Sequence, residues 1–230
     1  MNGIAVRNFP RPEQAVIASL SRFGVATIHE AMGRSGLMKS YLRPVWPGAR
    51  ACGGAVTVLE HPGDNWMLHV AAELLQPGDL VVVALSADNT DGMFGELLAT
   101  SYKARGATGL VIDAGCRDSD ALREMGFPVW SRAVSARGTV KASIGSVNVA
   151  VVCAGTVVQP GDVVIADADG VVVVPRLRAA EVARAAESRE QKEAATRKRL
   201  AAGELGLDIY GWREALAKAG LKYRDGPDSA

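Results

Sequence analysis

Residues 91–118 read DGMFGELLATSYKARGATGLVIDAGCRD, and they follow an apolar run, LVVVAL, at 80–85. That run has the length and composition of a buried strand. Gly92 and Gly95 bracket a tight loop. Residues 96–105 predict a helix, because Leu97, Leu98 and Tyr102, with the methyls of Ala99 and Ala104, supply an apolar side. Gly106 is a suitable stop. GLVID at 109–113 reads as a second buried strand. A strand, helix and strand of these lengths form a βαβ unit, with parallel strands and a right-handed crossover.

This geometry brings distant residues together. The helix travels roughly 15 Å at ~1.5 Å per residue. The second strand returns roughly 16 Å at ~3.3 Å per residue. Glu96, which opens the helix, is therefore expected beside Arg117 and Asp118, which follow the strand. Open α/β sheets bind ligands at this carboxyl edge. The N–H groups of Leu97 and Leu98, with the helix dipole, favour an anion there. Two carboxylates, a guanidinium and backbone donors suit a divalent cation holding a small oxygen-rich acid. The plainer alternative is that Glu96 complements its helix dipole and that Arg117-Asp118 is a solvated turn.

Composition narrows the field. The chain has 230 residues, 48% of them hydrophobic, enough to bury a full core in one large domain or one domain with an appendage. Twenty-six basic and 25 acidic residues leave a net charge of +1, without the basic excess of a nucleic-acid surface. No apolar run approaches the ~20 residues of a membrane helix. The opening MNGIAVRNFPRPEQ lacks a signal-peptide pattern. Cys52, Cys116 and Cys153 are odd in number, far apart and within apolar surroundings. They read as buried free thiols in a reducing cytoplasm, without zinc-site spacing.

Along the chain, residues 13–23 predict a helix. A second follows Gly24, with Thr27 as its N-cap and His29 half-buried on it. Residues 55–59 form a strand behind Gly53-Gly54. Residues 66–75 form a helix that Asp64 is placed to cap, and His69 on it is left open as a residue that reaches the site. Gln76-Pro77-Gly78-Asp79 and Gln159-Pro160-Gly161-Asp162 are the same turn used twice to feed a strand. Ser119 is expected to cap a helix over 119–125. Residues 127–131 read as an edge strand, since they include Pro128. Strands are expected at 147–153, 163–166 and 171–174, the last two joined by an Asp-Gly hairpin turn at 167–170.

The composition changes at Leu177. Residues 178–202 are rich in Ala, Glu, Arg and Lys and predict a long charged helix with a weak stripe of Val182, Ala186 and Leu200, stopped by Gly203. Such a helix has little to bury on its own sheet, so a second subunit is its expected partner. Residues 207–221 are helical, and the tail from Asp225 is expected to be disordered. The division is a core at 1–176 and an extension at 177–230.

Glu96, twenty intervening residues, then Arg117-Asp118 resembles the acidic-X20-Arg-Asp motif of the class II pyruvate aldolases that cleave 4-hydroxy-4-methyl-2-oxoglutarate and 4-carboxy-4-hydroxy-2-oxoadipate. The flanking words GVATIHEAMGRSGLM, PGDNWMLHVA and PGDVVIADADGVVVVP resemble that family too, and the similarity runs from about Gly24 to Tyr223.

The resemblance implies an α/β fold of the αββα-sandwich (swivelling β/β/α) kind, with a C-terminal extension packing on a neighbour in a homotrimer or homohexamer. It implies that Asp118 binds Mg²⁺ or Mn²⁺ directly. Glu96 holds metal waters, where the family often has Asp. Glu193, or Glu190, of a neighbour completes that water shell. Arg117 stabilises a pyruvate enolate. Gly95 and the backbone of Leu97 and Leu98 bind the carboxylate. Oxaloacetate decarboxylation is implied as a side activity, in the degradation of aromatic acids. The same fold is also that of regulators of ribonuclease activity, which bind rather than catalyse. The alternative aldolase chemistry, a Schiff base, has only Lys39, Lys103 and Lys141 before the C-terminal helix.

Overall fold

The computed structural model describes residues 3–226. The elements, in chain order, are α1 (Gln14–Leu20), α2 (Val25–Ala31), β1 (Arg43–Pro44), β2 (Ala51–Glu60), α3 (Trp66–Leu74), β3 (Asp79–Leu85), β4 (Gly92–Phe94), α4 (Glu96–Ala104), β5 (Gly109–Cys116) and α5 (Ser119–Glu124). Then come β6 (Val129–Val134), β7 (Ser146–Val147), β8 (Val151–Cys153), β9 (Thr156–Val158), β10 (Val163–Asp167), β11 (Gly170–Val174), a 3-10 turn at Arg176–Arg178, α6 (Ala179–Ala201), α7 (Gly206–Ile209) and α8 (Arg213–Lys218).

One mixed sheet organises the fold, in the order β1-β6-β5-β3-β2-β10-β11. The central pairs β2–β3, β3–β5 and β5–β6 are parallel, while β10 runs antiparallel to both β2 and β11. The expected βαβ unit is therefore β3-α4-β5. The sheet curls, so that Trp130 on β6 donates its indole N–H to the Asp167 carbonyl at the end of β10, 2.8 Å away.

The central strands are apolar on both faces, and their alternation decides which residue goes where. Val81, Val83, Leu110 and Ile112 pack under α3, α4 and α5 with Leu68, Leu98, Tyr102 and Phe127. Leu80, Val82 and Val111 point the other way, onto Trp130, Val164 and the β8–β9 hairpin. Val163, Ile165, Val172 and Val174 form a third layer with α1, α2 and the start of α6.

The repeated Pro-Gly-Asp turns have one mechanism. Asp79 accepts the Gln76 N–H at 2.7 Å and Asp162 the Gln159 N–H at 2.9 Å, while Gly78 and Gly161 take positive φ of 90° and 85°. Asp79 is also gripped by Arg11 through two 2.9 Å bonds.

Several local expectations are corrected. Thr27 lies inside α2, and Gly24 precedes the helix, whose Val25 N–H is capped from across the fold by Asp167 at 2.8 Å. The cap residue of α5 is Asp118, not Ser119. β6 is flanked by β5 on one side and the two-residue β1 on the other, and Pro128 lies just before it. The expected strand over 147–153 is broken at Asn148, whose φ is 58°, into β7 and β8, and β9 at Thr156–Val158 completes a hairpin. Residues 207–221 form two short helices separated by Gly211 at φ 66°.

The long helix is present, and Gly203 ends it with φ 91°. Its first two turns do find apolar partners in their own chain: Ala179, Val182, Ala183 and Ala186 are buried against the β10–β11 layer. The chain divides into two compact units between Ala186 and Glu187. In the second unit, neither α7 nor α8 buries a residue, and the Tyr210 and Trp212 rings stack at 4.5 Å. Residues 227–230 of the tail lie outside the described residues. Among the described residues no helix is long and apolar enough to cross a membrane, and Cys52, Cys116 and Cys153 are free.

Candidate active site

β5 and α4 meet as the chain lengths require. Gly95 is extended and immediately precedes α4. A Cβ on Gly95 would fall 2.5 Å from Asp118 Oδ2 and 2.9 Å from Arg117 Cγ, so only glycine lets the two segments close. The Arg117 N–H donates to the Phe94 carbonyl at 2.9 Å, tying β4 to the end of β5. The short strand β4, read from sequence as loop, is what fixes that approach.

Asp118 carries the decisive geometry. Its backbone is left-handed, with φ 58° and ψ 38°, and its side chain does not cap α5. It turns instead to the neighbouring helix, where Oδ2 accepts the Glu96 N–H at 3.1 Å and lies 3.5 Å from Arg117 Nε. A merely solvated turn needs no such crossing, and a left-handed aspartate is a small store of strain. Among the described residues Oδ1 of Asp118 and the Glu96 carboxylate oxygens make no hydrogen bond. The N–H groups of Leu97 and Leu98 have no intrahelical acceptor.

These groups line an open cleft of about 650 Å³ that includes Glu96, Leu97, Arg117 and Asp118. A smaller cavity of about 140 Å³ shares Leu97 and Arg117 with it and continues past Gly95 and Leu98 to Asn65, His69 and Lys141. Gly95, Glu96, Leu97, Leu98, Arg117 and Asp118 are therefore gathered in one place. Glu193 lies in the second unit, where its carboxylate is 2.8 Å from Arg189. His29, half-buried on α2, lines neither cavity.

His69 joins the site, and Asn65 and Lys141 are additions that spacing did not reveal. Asn65 Nδ2 donates to the Met93 carbonyl at 3.0 Å, which anchors α3 to β4. Lys141 comes from a stretch without regular structure and carries no motif. Burial, and then the nearby Lys141 cation, push the His69 pKa below the ordinary histidine value, so the neutral ring is favoured near pH 7. The unfolded chain then binds that proton more readily than the folded one, and this contribution to stability falls as pH drops below the ordinary histidine range. Replacing Lys141 by Met is expected to raise the His69 pKa, read by an NMR titration of the ring. An unchanged value would show that the ammonium is not beside the imidazole.

Lys103, by contrast, extends from the far end of α4 to the Met125 carbonyl. Cys116, next to Arg117, is buried, and burial pushes its thiol up to about 11, despite a bond with Ser131, so it is no nucleophile.

The donor set fits a hard cation. Carboxylate oxygens are its preferred ligands, and the free oxygens of Asp118 and Glu96 face an open cleft rather than a closed cage. No group of three His, Cys, Asp or Glu converges among the described residues. A cation here therefore draws the rest of its shell from water and a ligand's own oxygens.

The chain matches the family model described as Aldolase/RraA over residues 25–173, and it belongs to this RraA-like family. A relative from Halalkalibacterium halodurans, provisionally named a 4-hydroxy-4-methyl-2-oxoglutarate aldolase, is 28% identical over 75% of this chain and 82% of its own. A Pseudomonas fluorescens protein with the same provisional name is 33% identical over 56% of this chain and 78% of its own. Among solved structures, Streptomyces coelicolor RraAS2, described as an unusual member of the RNase ES inhibitor RraA family, superposes with a TM-score of 0.74 at 29% identity, covering 83% of this chain and 99% of that one. The RNA-processing inhibitor RraA from Thermus thermophilis shares the fold, with a TM-score of 0.61 at 22% identity over 66% of this chain and 93% of that one.

Proposed function

We propose that the protein is a divalent-cation-dependent pyruvate aldolase, cleaving 4-hydroxy-4-methyl-2-oxoglutarate or 4-carboxy-4-hydroxy-2-oxoadipate. The observation that carries this reading is the convergence of Arg117, Asp118 and the α4 N-terminus, joined by the 3.1 Å bond from the Glu96 N–H to Asp118. Aldol cleavage leaves an electron pair on the carbon beside a ketone, and a site for it must hold negative charge on the ketone oxygen. The Arg117 guanidinium is a fixed donor for that oxygen. The N–H groups of Leu97 and Leu98 take the carboxylate of the pyruvate half, with Gly95 leaving room for it.

Asp118 is the direct ligand in this reading, and Glu96 orients water, with Mg²⁺ or Mn²⁺ as the ion. A bound cation of this type would add Lewis-acid stabilisation at the keto oxygen. Lys141 and neutral His69, lining the cavity beyond Arg117, suit the far carboxylate of the substrate. Lys141 is exposed to water, whereas a Schiff-base lysine is activated by desolvation or a cationic neighbour. The same enolate stabilisation supports decarboxylation of oxaloacetate.

The exposed Leu205, Tyr210 and Trp212 of the second unit support self-association, as a trimer or hexamer, in which Glu193 of a neighbour joins the water network. The reading gives the protein a role in the breakdown of aromatic acids, in the cytoplasm.

The likeness to RraAS2 favours a second reading, a regulator that binds a ribonuclease. Incubating the protein with magnesium and 4-hydroxy-4-methyl-2-oxoglutarate while following pyruvate, with a ribonuclease-inhibition assay in parallel, separates the two. Pyruvate release is expected. Inhibition without release would replace the aldolase reading.

A further inference from the structure

The segment from Ser135 to Gly145 runs across the site with almost no buried apolar surface to hold it there. Its attachments are polar. The Ser135 N–H donates to the Cys116 carbonyl at 2.8 Å, and the Gly92 N–H donates to the Arg137 carbonyl at 2.8 Å. At its far end the Val140 N–H donates to the Gly63 carbonyl at 2.9 Å, and the Asn65 N–H to the Val140 carbonyl at 3.2 Å. The tightest attachment is Asp64. One carboxylate oxygen, Oδ1, accepts the Trp66 N–H at 2.9 Å at the start of α3, while Oδ2 accepts both the Ala142 and Ser143 N–H groups at 2.7 Å.

Asp64 is 1% exposed and lines neither cavity of the site. A carboxylate this buried is costly unless fully bonded. Here one side chain serves two elements at once. It accepts the first N–H of α3, the helix that carries His69 and follows Asn65, and it grips the residues immediately after Lys141.

We propose that Asp64 is a positioning residue that sets the reach of Lys141 into the cavity beside Arg117 and His69, and thereby the affinity for the far carboxylate of the substrate. The proposal rests on the aldolase reading and on Lys141 as the partner of that carboxylate. Without the two bonds from Oδ2, the ammonium of a solvated, loosely packed segment samples many positions, and its interaction with a bound anion is diluted.

The test compares KM for 4-hydroxy-4-methyl-2-oxoglutarate cleavage with KM for methyl proton exchange of pyruvate, which has no far carboxylate. The ratio is read in the wild type, Asp64→Asn, Lys141→Ala and the double variant, in the magnesium-supplemented full chain. Asp64→Asn has one acceptor oxygen for the three N–H groups, so its NH₂ faces either the Trp66 N–H or those of Ala142 and Ser143, and the double attachment is broken. Its ratio is expected to rise about ten-fold, the worth of one charged hydrogen bond, and kcat to move less than KM. Lys141→Ala is expected to raise the ratio similarly, and the double variant to add little. Asp64→Ser, which retains the Trp66 cap but is too short to hold the segment, replaces Asp64→Asn if thermal melting shows the latter unfolded. A ratio unmoved by Asp64 variants while Lys141→Ala shifts it, or fully additive effects, would overturn the proposal. A ratio unmoved by Lys141→Ala would instead remove the far-carboxylate reading beneath it, and the proposal with it.

Discussion

Arg117→Ala is expected to reduce pyruvate release by about 10²–10³-fold in kcat, the usual cost of deleting a fixed donor to a developing oxyanion. The fold should survive, because the side chain is 46% exposed and its ion pair with Asp118 is long at 3.5 Å. What holds the site together does not involve the Arg117 side chain: the Arg117 N–H donates to the Phe94 carbonyl and the Glu96 N–H to the Asp118 carboxylate. Alanine at 117 leaves both bonds in place. The loss should therefore appear in kcat, with the melting temperature little changed. Arg117→Lys should remain well below wild type, because an ammonium is a point charge without the planar fork of a guanidinium. A variant retaining more than about a tenth of wild-type turnover would show that charge on the keto oxygen is stabilised elsewhere.

The core of this site is legible in the sequence because its spacing is set by two regular elements. Helix and strand rises bring Glu96 back toward Arg117-Asp118; α4 ends at Ala104, one residue short of the expected limit, while β5 starts at Gly109 as expected but runs three residues past 113, to Cys116. The buried strands are equally plain in 80–85 and 109–113. Their faces are not, since the valines, leucines and Ile112 look alike on both sides and only the sheet topology decides that Val81 meets α3 and α4 while Val82 meets Trp130.

Lys141, Asn65 and the role of Asp64 were hidden for a different reason. They depend on an irregular segment that returns 78 positions after Asp64 to bond it, and no local periodicity encodes such a return. β4 escaped notice because three residues pairing with a strand end leave no alternation to read. The first two turns of the long helix bury more than their composition suggests. Ala183 and Ala186 look weakly apolar as letters, yet they are small enough to lie flat against the valines of β10 and β11.

Chelation supplies the other large effect. EDTA is expected to abolish pyruvate release, by about 10³-fold or more, and added magnesium or manganese to restore it. The argument starts from the protein's own groups. Among the residues that line the cleft, Arg117 alone presents a positive charge, beside three carboxylates, Glu96, Asp118 and Asp120, the last in an ion pair with Arg123. Without a further cation the cleft is net negative, which disfavours an anionic substrate and an enolate alike. Asp118 has one oxygen held by the Glu96 N–H and one without a partner among the described residues, so Asp118→Asn can keep the structural bond while losing the charge. This variant should match the chelated wild type in turnover, keep its melting temperature, and recover little on adding magnesium. Isothermal titration with magnesium and pyruvate together should show binding in the wild type and none in the variant. Turnover that survives thorough chelation, or an Asp118→Asn variant that still cleaves, would mean that Arg117 and the α4 N-terminus bear the charge unaided. Borohydride trapping would then test Lys141, the one lysine of the cavity, as a covalent partner.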